Sequence, residues 1–206
     1  IEITPYNFKK VFFSDNGSTA NEVALKMSIQ YWSNLNQPKN RFVAFEGAYH
    51  GDTFGSMCLT ARGGFNEPFE TLMFDVDFIP LPNGSNDKEV INCFKKLINS
   101  GNIAAFIFEP LVQGASGMNI YSESVLSELI GLANKADVIT IADEVFTGFG
   151  RAGSWFAIDQ LANKPDIMCL SKALTGGFLP LGLTVVAQKI FDGFYSDEPK
   201  HTFLHG

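Results

Sequence analysis

The run Val138-Ile139-Thr140-Ile141-Ala142 ends in Asp143-Glu144, and a second run, Ile167-Met168-Cys169-Leu170-Ser171, is followed by Lys172. Short runs that are almost wholly apolar are typical of strands buried in a parallel sheet. Because ligands collect at the carboxyl ends of such strands, we expect Asp143 and Lys172 to face one pocket. A lysine amine forms an imine with an aldehyde, and an aspartate facing a ring nitrogen keeps that nitrogen protonated. The pair therefore suits a pyridine cofactor.

Outward from these two runs, strand-like and helix-like stretches alternate along the chain. The alternation predicts an α/β fold in three layers, with a mostly parallel central sheet flanked by helices. Strands are predicted near 11–13, 41–45, 78–80, 103–108, 138–142, 167–171 and 182–187. Helices are predicted from 19 to about 31, after 51 to about 62, and over 87–100, 122–135 and 189–195. Thr19 and Glu22 predict a capping box that opens the first helix. Repeats and linkers are not found, so we expect residues 1–206 to form one domain.

The composition limits the class of partner. Of 206 residues, 22 are acidic and 15 are basic, which gives a formal charge of −7. This balance argues against a nucleic-acid surface and favours small molecules as partners. Apolar runs do not reach membrane-spanning length, so we expect no membrane partner. Cys58, Cys93 and Cys169 are widely spaced in apolar contexts, which predicts buried, reduced thiols in a cytoplasmic protein and no metal site.

The two ends of the chain resemble the interior of a longer sequence. Ile1-Glu2-Ile3 lacks an initiator Met and the basic-then-apolar pattern of a signal peptide. The end at His205-Gly206 lacks the polar residues usual at a natural terminus. We therefore expect this chain to be a piece of a larger protein.

A second candidate site feature lies at Asn16-Gly17-Ser18-Thr19, between a predicted strand and a predicted helix. Backbone N–H groups, two hydroxyls and the positive end of the helix meet there, which would suit a phosphate. The commoner role of such residues is to cap an ordinary helix. The phosphate interpretation is favoured only when Asp143 and Lys172 are considered together with this segment.

Each strand-end residue also has an ordinary interpretation. A buried Asp143 needs a partner, and Arg151 or Lys172 could form a structural salt bridge with it. Lys172 alone would more often be a solvated lysine at a strand end. The glycine pair Gly176-Gly177 that follows would let the backbone approach a ligand, although paired glycines also make simple turns.

Two further residues follow predicted strands. Tyr49 lies in the loop after the strand at 41–45, where an aromatic ring could stack on a flat cofactor or simply anchor the loop. Glu109 ends the strand at 103–108, in the same kind of position as Asp143, and could otherwise accept backbone hydrogen bonds within its loop. The three histidines are scattered, and none forms a Ser-His-Asp or Cys-His arrangement that we can identify.

Together these motifs resemble the class III pyridoxal-phosphate-dependent aminotransferases, in order and over nearly the whole chain. The resemblance implies the large, cofactor-binding domain of the fold-type I transferases over residues 1–206, with the small domain absent. The matching stretches are Asn16-Gly17-Ser18, Ala48-Tyr49-His50-Gly51-Asp52-Thr53, Glu109-Pro110 through Gly117-Met118, Asp143-Glu144 through Gly153, Pro165-Asp166-Ile167 through Gly177, and Phe203-Leu204-His205-Gly206.

The resemblance implies a role for each matching residue around pyridoxal 5'-phosphate. Lys172 would attach to the cofactor and then move the proton of the 1,3-shift, and Asp143 would pair with the pyridinium nitrogen. Gly17 and Ser18 would hold the phosphate.

Tyr49 would stack on one ring face and touch the substrate, and Val145 would pack on the opposite face. Glu109 would belong to the cofactor site as a carboxylate that contacts the residues around the ring. Gly206 would border the substrate pocket.

Within the family, the motifs are most similar to the members that serve biotin synthesis. That similarity implies S-adenosylmethionine, or lysine in some relatives, as amino donor and 8-amino-7-oxononanoate as keto acceptor, giving 7,8-diaminononanoate. It also implies a homodimer for the full-length protein. Other class III members, such as ω-amino acid or diamine aminotransferases and aminomutases, remain alternatives. Phe146 stands where ornithine- and 4-aminobutyrate-type relatives carry a glutamine, which counts against those two substrates.

Several family residues have no counterpart in this chain. A threonine that reaches the phosphate of the neighbouring subunit and an arginine that binds the substrate carboxylate would lie beyond Gly206, and aromatic residues of the pocket would precede Ile1.

A hypothesis of another class follows, in which the chain by itself is catalytically inert and acts as a folded, self-associating binding domain.

Overall fold

The computed structural model describes residues 2–5, 7–64 and 66–205. The strands are β1 (Phe8–Ser14), β2 (Arg41–Phe45), β3 (Asp77–Ile79), β4 (Ile103–Phe108), β5 (Val112–Gln113), β6 (Asn119–Ile120), β7 (Ile139–Asp143), β8 (Ile167–Leu170) and β9 (Gly182–Ala187). The α-helices are α1 (Gly17–Asn34), α2 (Phe54–Cys58), α3 (Asp87–Ile98), α4 (Glu123–Lys135) and α5 (Gln188–Asp192). All seven strands predicted from the sequence are confirmed, three with the predicted bounds and four with ends shifted by up to three residues.

Seven strands form one sheet in the order β1-β9-β8-β7-β4-β2-β3. Strands β3, β2, β4, β7 and β8 pair in parallel, and β9 runs antiparallel to both β8 and β1. In the parallel part, Asp143 at the end of β7 is in register with Cys169 of β8. The carboxyl ends of β2, β4, β7 and β8 therefore lie along one edge, which places the loops that follow them together.

Helices cover both faces of the sheet, as the three-layer prediction requires. Two separate apolar clusters lie on the two faces: α3 and α4 pack in the cluster that contains Phe94, Phe106 and Leu129, and α1 and α5 pack in the cluster that contains Val23 and Ile190. The interior strand β4 is buried at all six positions because helices cover it on both sides.

Several predicted features are corrected by the structure. The segment 62–87 contains a 3-10 helix over Glu67–Leu72, and the helix expected to reach residue 62 ends at Cys58. The two-stranded β5–β6 ribbon and the reversed direction of β9 were not predicted. Short strands such as β5 and β6 leave no periodic pattern in the sequence.

Buried thiols are confirmed for Cys58 and Cys169, whereas Cys93 is half-buried, and all three cysteines are free. Within the described residues, no helix is long and apolar enough to cross a membrane.

Candidate active site

A cleft of about 770 Å³ lies where the loops after β2, β4, β7 and β8 meet the first turn of α1. Seven residues predicted from the sequence line this cleft: Gly17, Ser18, Tyr49, Glu109, Asp143, Val145 and Lys172. Gly206, predicted to border the substrate pocket, lies outside the described residues. The fold thus brings residues separated by up to 155 positions in sequence to one place.

The first turn of α1 leaves backbone donors facing the cleft. Asn16 is the N-cap: its Oδ1 accepts from the Thr19 N–H at 3.0 Å, and the Thr19 hydroxyl accepts from the Asn16 N–H at 2.9 Å. The predicted Thr19–Glu22 capping box is therefore wrong, because the N-cap is Asn16, three residues earlier. In the described part of the chain, no acceptor is found for the N–H groups of Gly17 and Ser18. These donors and the positive helix end can bind an anion.

Glycine is needed at two positions beside this turn. A Cβ on Gly17 would lie 2.8 Å from Cγ1 of Val145, so only glycine allows the loop after β7 to pack against the start of α1. A Cβ on Gly51, which has φ of 127°, would lie 2.3 Å from the Ser18 Oγ. The Ser18 Oγ accepts from the Asp52 N–H at 3.1 Å, which leaves its own proton available to a ligand.

Asp143 is buried and held by three donors. Its Oδ2 accepts from Asn21 Nδ2 at 2.8 Å and lies 2.8 Å from His50 Nδ1, and its Oδ1 accepts from the Val145 N–H at 3.1 Å. These three contacts fix the orientation of the Asp143 carboxylate. The ordinary interpretation, a salt bridge to Arg151 or Lys172, is not what the structure shows, because the basic side chain in contact with Asp143 is His50.

Sequence reasoning missed two residues of this cluster, His50 and Asn21. The His50 side chain is fully buried, and among the described residues its Nε2 has no hydrogen-bond partner. Because an ionised carboxylate only accepts, Nδ1 carries the proton in the contact with Asp143. Asn21 also donates to the His50 carbonyl at 2.8 Å. The available signal was Asn21 itself, a polar residue among the buried apolar residues of α1.

Lys172 has an exposed side chain and an unusual backbone. Its φ is 44°, in the left-handed region that favours glycine. The Nζ lies 5.5 Å from the centroid of the Phe146 ring, and among the described residues it has no hydrogen-bond or ion-pair partner. Arg151 lies over the same ring, with Cζ 4.8 Å from the centroid. The lysine amine is therefore free to react at the edge of the cleft.

Tyr49 and Glu109 are connected through the backbone. Glu109 Oε1 accepts from the Tyr49 N–H at 3.2 Å, and Oε2 accepts from the Gly114 N–H at 2.9 Å. Burial raises the pKa of the Glu109 carboxyl, and nearby His50 opposes that shift. The Tyr49 hydroxyl donates to Asp52 Oδ2 at 2.8 Å, and partial burial together with this bond raises the pKa of Tyr49 to about 12. Tyr49 therefore stays protonated at neutral pH, with its hydroxyl directed to Asp52.

The family model and the related proteins all indicate the same family. The model of the family described as aminotransferase class-III matches residues 1–205. A protein from Synechococcus elongatus named adenosylmethionine-8-amino-7-oxononanoate aminotransferase is 50% identical over 213 residues, covering 100% of this chain and 50% of that protein. A protein of the same name from Staphylococcus aureus is 40% identical, covering 100% of this chain and 49% of that protein. The chain spans about half the length of the curated relatives it matches.

Solved structures show the same likeness. The crystal structure of adenosylmethionine-8-amino-7-oxononanoate aminotransferase from Methanocaldococcus jannaschii matches with a TM-score of 0.91 and 34% identity, over 100% of this chain and 48% of that chain. A PLP-bound amine transaminase from an uncultivated Pseudomonas species matches with a TM-score of 0.91 and 31% identity, over 97% of this chain and 48% of that chain. The sheet and the site therefore lie on a transaminase fold.

Proposed function

The chain belongs to the class III aminotransferases, and on that premise we propose that the whole protein is a pyridoxal-phosphate-dependent aminotransferase that makes 7,8-diaminononanoate for biotin synthesis. One observation supports the activity above the others: Asp143, fixed by three donors, lines the same cleft as Lys172, whose amine is free among the described residues. The name shared by the relatives that match over half their length supports the pathway.

The residues present fit pyridoxal phosphate. Gly17 and Ser18 offer N–H groups and a hydroxyl at a helix N-terminus, which suits the phosphate. Asp143 offers a carboxylate that suits a protonated ring nitrogen. When bound, this cofactor supplies an aldehyde for a lysine amine and a ring that withdraws electrons from the reacting carbon.

Each residue would then have a chemical task. The Lys172 Nζ would be the amine that holds the cofactor and would accept or donate a proton beside the reacting carbon. Asp143 would keep the proton on the ring nitrogen, and Asn21 and His50 hold the Asp143 carboxylate in place. Tyr49 and Val145 are proposed to enclose the ring between them, and Glu109 orients Tyr49 through its backbone N–H.

Covalent trapping tests the cofactor site. Full-length protein is mixed with pyridoxal phosphate, reduced with borohydride, digested and mapped by mass spectrometry. We expect the adduct on Lys172 and no specific adduct in a Lys172→Ala variant. A specific adduct on another lysine, retained in the variant, would reject the assignment of Lys172.

Substrate identity needs a separate assay. We propose S-adenosylmethionine, or lysine, as donor and 8-amino-7-oxononanoate as acceptor, and we expect 7,8-diaminononanoate to accumulate when the full-length protein receives both. The alternative is another class III enzyme acting on ω-amino acids or diamines, and amine transaminases of similar structure support keeping it. Turnover with those amines, and none with S-adenosylmethionine or lysine, would favour the alternative.

The remaining proposals concern the whole protein. We propose that residues 1–206 form its cofactor-binding domain, that segments outside this range complete the substrate pocket, and that the protein is a cytoplasmic homodimer. The half-length match to relatives supports the first two, and three free cysteines support a reducing compartment. The exposed apolar side chains of Phe54, Leu72 and Phe74 support self-association. Sedimentation of the full-length protein as a monomer would reject the dimer.

A further inference from the structure

Glu22 makes contacts that its position in α1 does not predict. Its side chain leaves its own helix, and Oε2 accepts from the Thr53 hydroxyl at 2.6 Å and from the Ser56 N–H at 3.0 Å. Ser56 lies in the first turn of α2, where backbone N–H groups have no partner inside the helix. Thr53, the N-cap residue, makes no capping bond with its own side chain. Glu22 therefore caps α2 from a different helix.

The packing around this carboxylate is tight. A Cβ on Gly55 would lie 2.3 Å from Glu22 Oε1, so glycine is needed there for the carboxylate to reach the turn. Gly55 and Ser56 are both buried. An unsatisfied N–H at Ser56 would therefore be costly, which makes the Glu22 contact a strong constraint on where α2 begins.

The same segment is tied to the proposed phosphate site. The Ser18 carbonyl accepts from the Ser56 hydroxyl at 2.8 Å, and the Ser18 hydroxyl accepts from the Asp52 N–H at 3.1 Å. Residues 52–56 thus contact the start of α1 through both Ser18 and Glu22. Tyr49 lies at the beginning of the same loop and hydrogen-bonds Asp52.

We propose that Glu22 is a positioning residue that sets the loop 49–53 against the first turn of α1, so that the phosphate end and the ring end of the cofactor site are held together. Glu22 is not among the residues that line the cleft, and it acts through Thr53 and Ser56. This inference rests on the proposed cofactor and adds a residue to which neither the family resemblance nor the relatives assign a role.

The hydrogen bonds, rather than the charge, carry the effect. Both groups that contact Glu22 Oε2 are donors to an acceptor oxygen, which a glutamine also has. Glu22→Gln should therefore preserve the loop, and Glu22→Ala should release it. Thr53→Val removes one of the two donors and should have a smaller effect in the same direction.

The test is cofactor affinity in the full-length apoprotein, measured by absorbance titration with pyridoxal phosphate and, separately, with pyridoxal, which lacks the phosphate. We expect Glu22→Ala to weaken pyridoxal phosphate binding by about tenfold, which corresponds to the net contribution of about one hydrogen bond. The affinity for pyridoxal phosphate relative to pyridoxal should also fall, because residues 52–56 would no longer be held against Ser18. Glu22→Gln should bind within about twofold of the wild type.

Ser122→Ala is the matched control. Ser122 caps α4 through the Ser124 N–H on the other face of the sheet, so its loss should lower stability without changing cofactor affinity. Unchanged affinity in Glu22→Ala, equal losses in the Ala and Gln variants, or an equal loss in Ser122→Ala would overturn the inference. Should Glu22→Ala not fold, unchanged affinity in Thr53→Val would overturn it. A wild-type protein that binds no pyridoxal phosphate would instead reject the proposed function.

Discussion

At the level of single residues, Asn21 occupies a place that requires a neutral donor. Its Nδ2 donates to both the Asp143 carboxylate and the His50 carbonyl, and the side chain is buried. Asn21→Asp would face one carboxylate with another at hydrogen-bond distance. We expect it to lower the free energy of unfolding by roughly 3 kcal/mol.

Urea unfolding of the full-length apoprotein checks this prediction. Asn21→Ser, which removes the donors without adding charge, should cost less than Asn21→Asp. Equal losses in the two variants would show that like-charge repulsion at Asp143 is not the cause.

The backbone at Lys172 predicts an unusual order of stabilities. With φ of 44°, every residue with a Cβ is strained there, and glycine is not. Lys172→Gly should therefore be more stable than Lys172→Ala by about 1 kcal/mol, although glycine usually destabilises. Thermal unfolding of the two apoproteins gives the comparison, and neither should form the borohydride adduct. A more stable alanine variant would contradict a strained native backbone.

Among single residues, those at strand ends were predictable and their supports were not. The apolar runs of three buried strands are followed by Glu109, Asp143 and Lys172. The position of these residues at strand ends is therefore predictable from the sequence. His50 and Asn21 are joined to Asp143 across 93 and 122 positions. Local patterns carry no information about contacts of that range.

At the level of elements, the loop after β7 is tied by a buried carboxyl. Glu144 accepts from the Ile158 N–H at 2.8 Å and from the Thr147 hydroxyl. Burial raises the pKa of Glu144 from 4.5 to about 7, and those hydrogen bonds oppose the shift. Because the folded-state pKa is above the unfolded one, this contribution to stability is fully present below pH 4.5 and is lost as pH rises through about 7.

Replacing the Glu144 carboxyl should weaken the pH dependence of the free energy of unfolding. Between pH 5 and pH 8, the wild type should lose about 2.5 kcal/mol of unfolding free energy relative to Glu144→Gln. Denaturant unfolding of both proteins at the two pH values measures the difference, in which other titrating groups cancel. Parallel stability curves would mean that Glu144 does not titrate in this range.

A second buried acid, Asp166, contacts two strands of the sheet and one helix. Asp166 Oδ2 accepts from the Thr140 N–H of β7 at 2.9 Å, and Oδ1 pairs with Lys189 of α5 at 2.7 Å. The Asp166 carbonyl accepts from the Ala187 N–H at the end of β9 at 2.8 Å. The side chain thus connects β7 to α5 at the amino end of β8.

We expect Asp166→Ala to lower the free energy of unfolding by roughly 3 kcal/mol, because a buried N–H and a cation lose their acceptor. The Lys189 side chain is half exposed, so Lys189→Ala should cost less than about 1 kcal/mol. Chemical unfolding of the two variants compares the losses. Equal losses would assign the effect to the ion pair instead of the backbone contact.

At the scale of the whole molecule, the chain presents large apolar side chains to solvent. Phe178 is 87% exposed and Leu204 is 77% exposed. Surfaces of this kind mark places that a partner or another segment covers. Residues 1–206 by themselves should therefore form oligomers or aggregates in sedimentation velocity, and Phe178→Ser should shift the distribution toward smaller species. A compact monomer alone would count against this prediction and against the self-associating alternative.

The sequence by itself determined the fold class, the seven strands of the sheet and the strand-end residues of the site. These depend on local physics: apolar runs of strand length, helical periodicity, and the rule that loops at the carboxyl ends of parallel strands meet. The family motifs lie in those same loops. The sequence alone therefore predicts that Asp143 and Lys172 face one pocket.

Only the tertiary structure decided how that site is held. Asp143 is fixed by a histidine and an asparagine instead of a cation, and Glu22 caps a neighbouring helix instead of its own. The reversed strand β9 was decided in the same way, by pairing with both β1 and β8. The physical reason is that hydrogen-bond partners of buried groups are chosen by proximity in the packed molecule, which short-range sequence patterns do not encode.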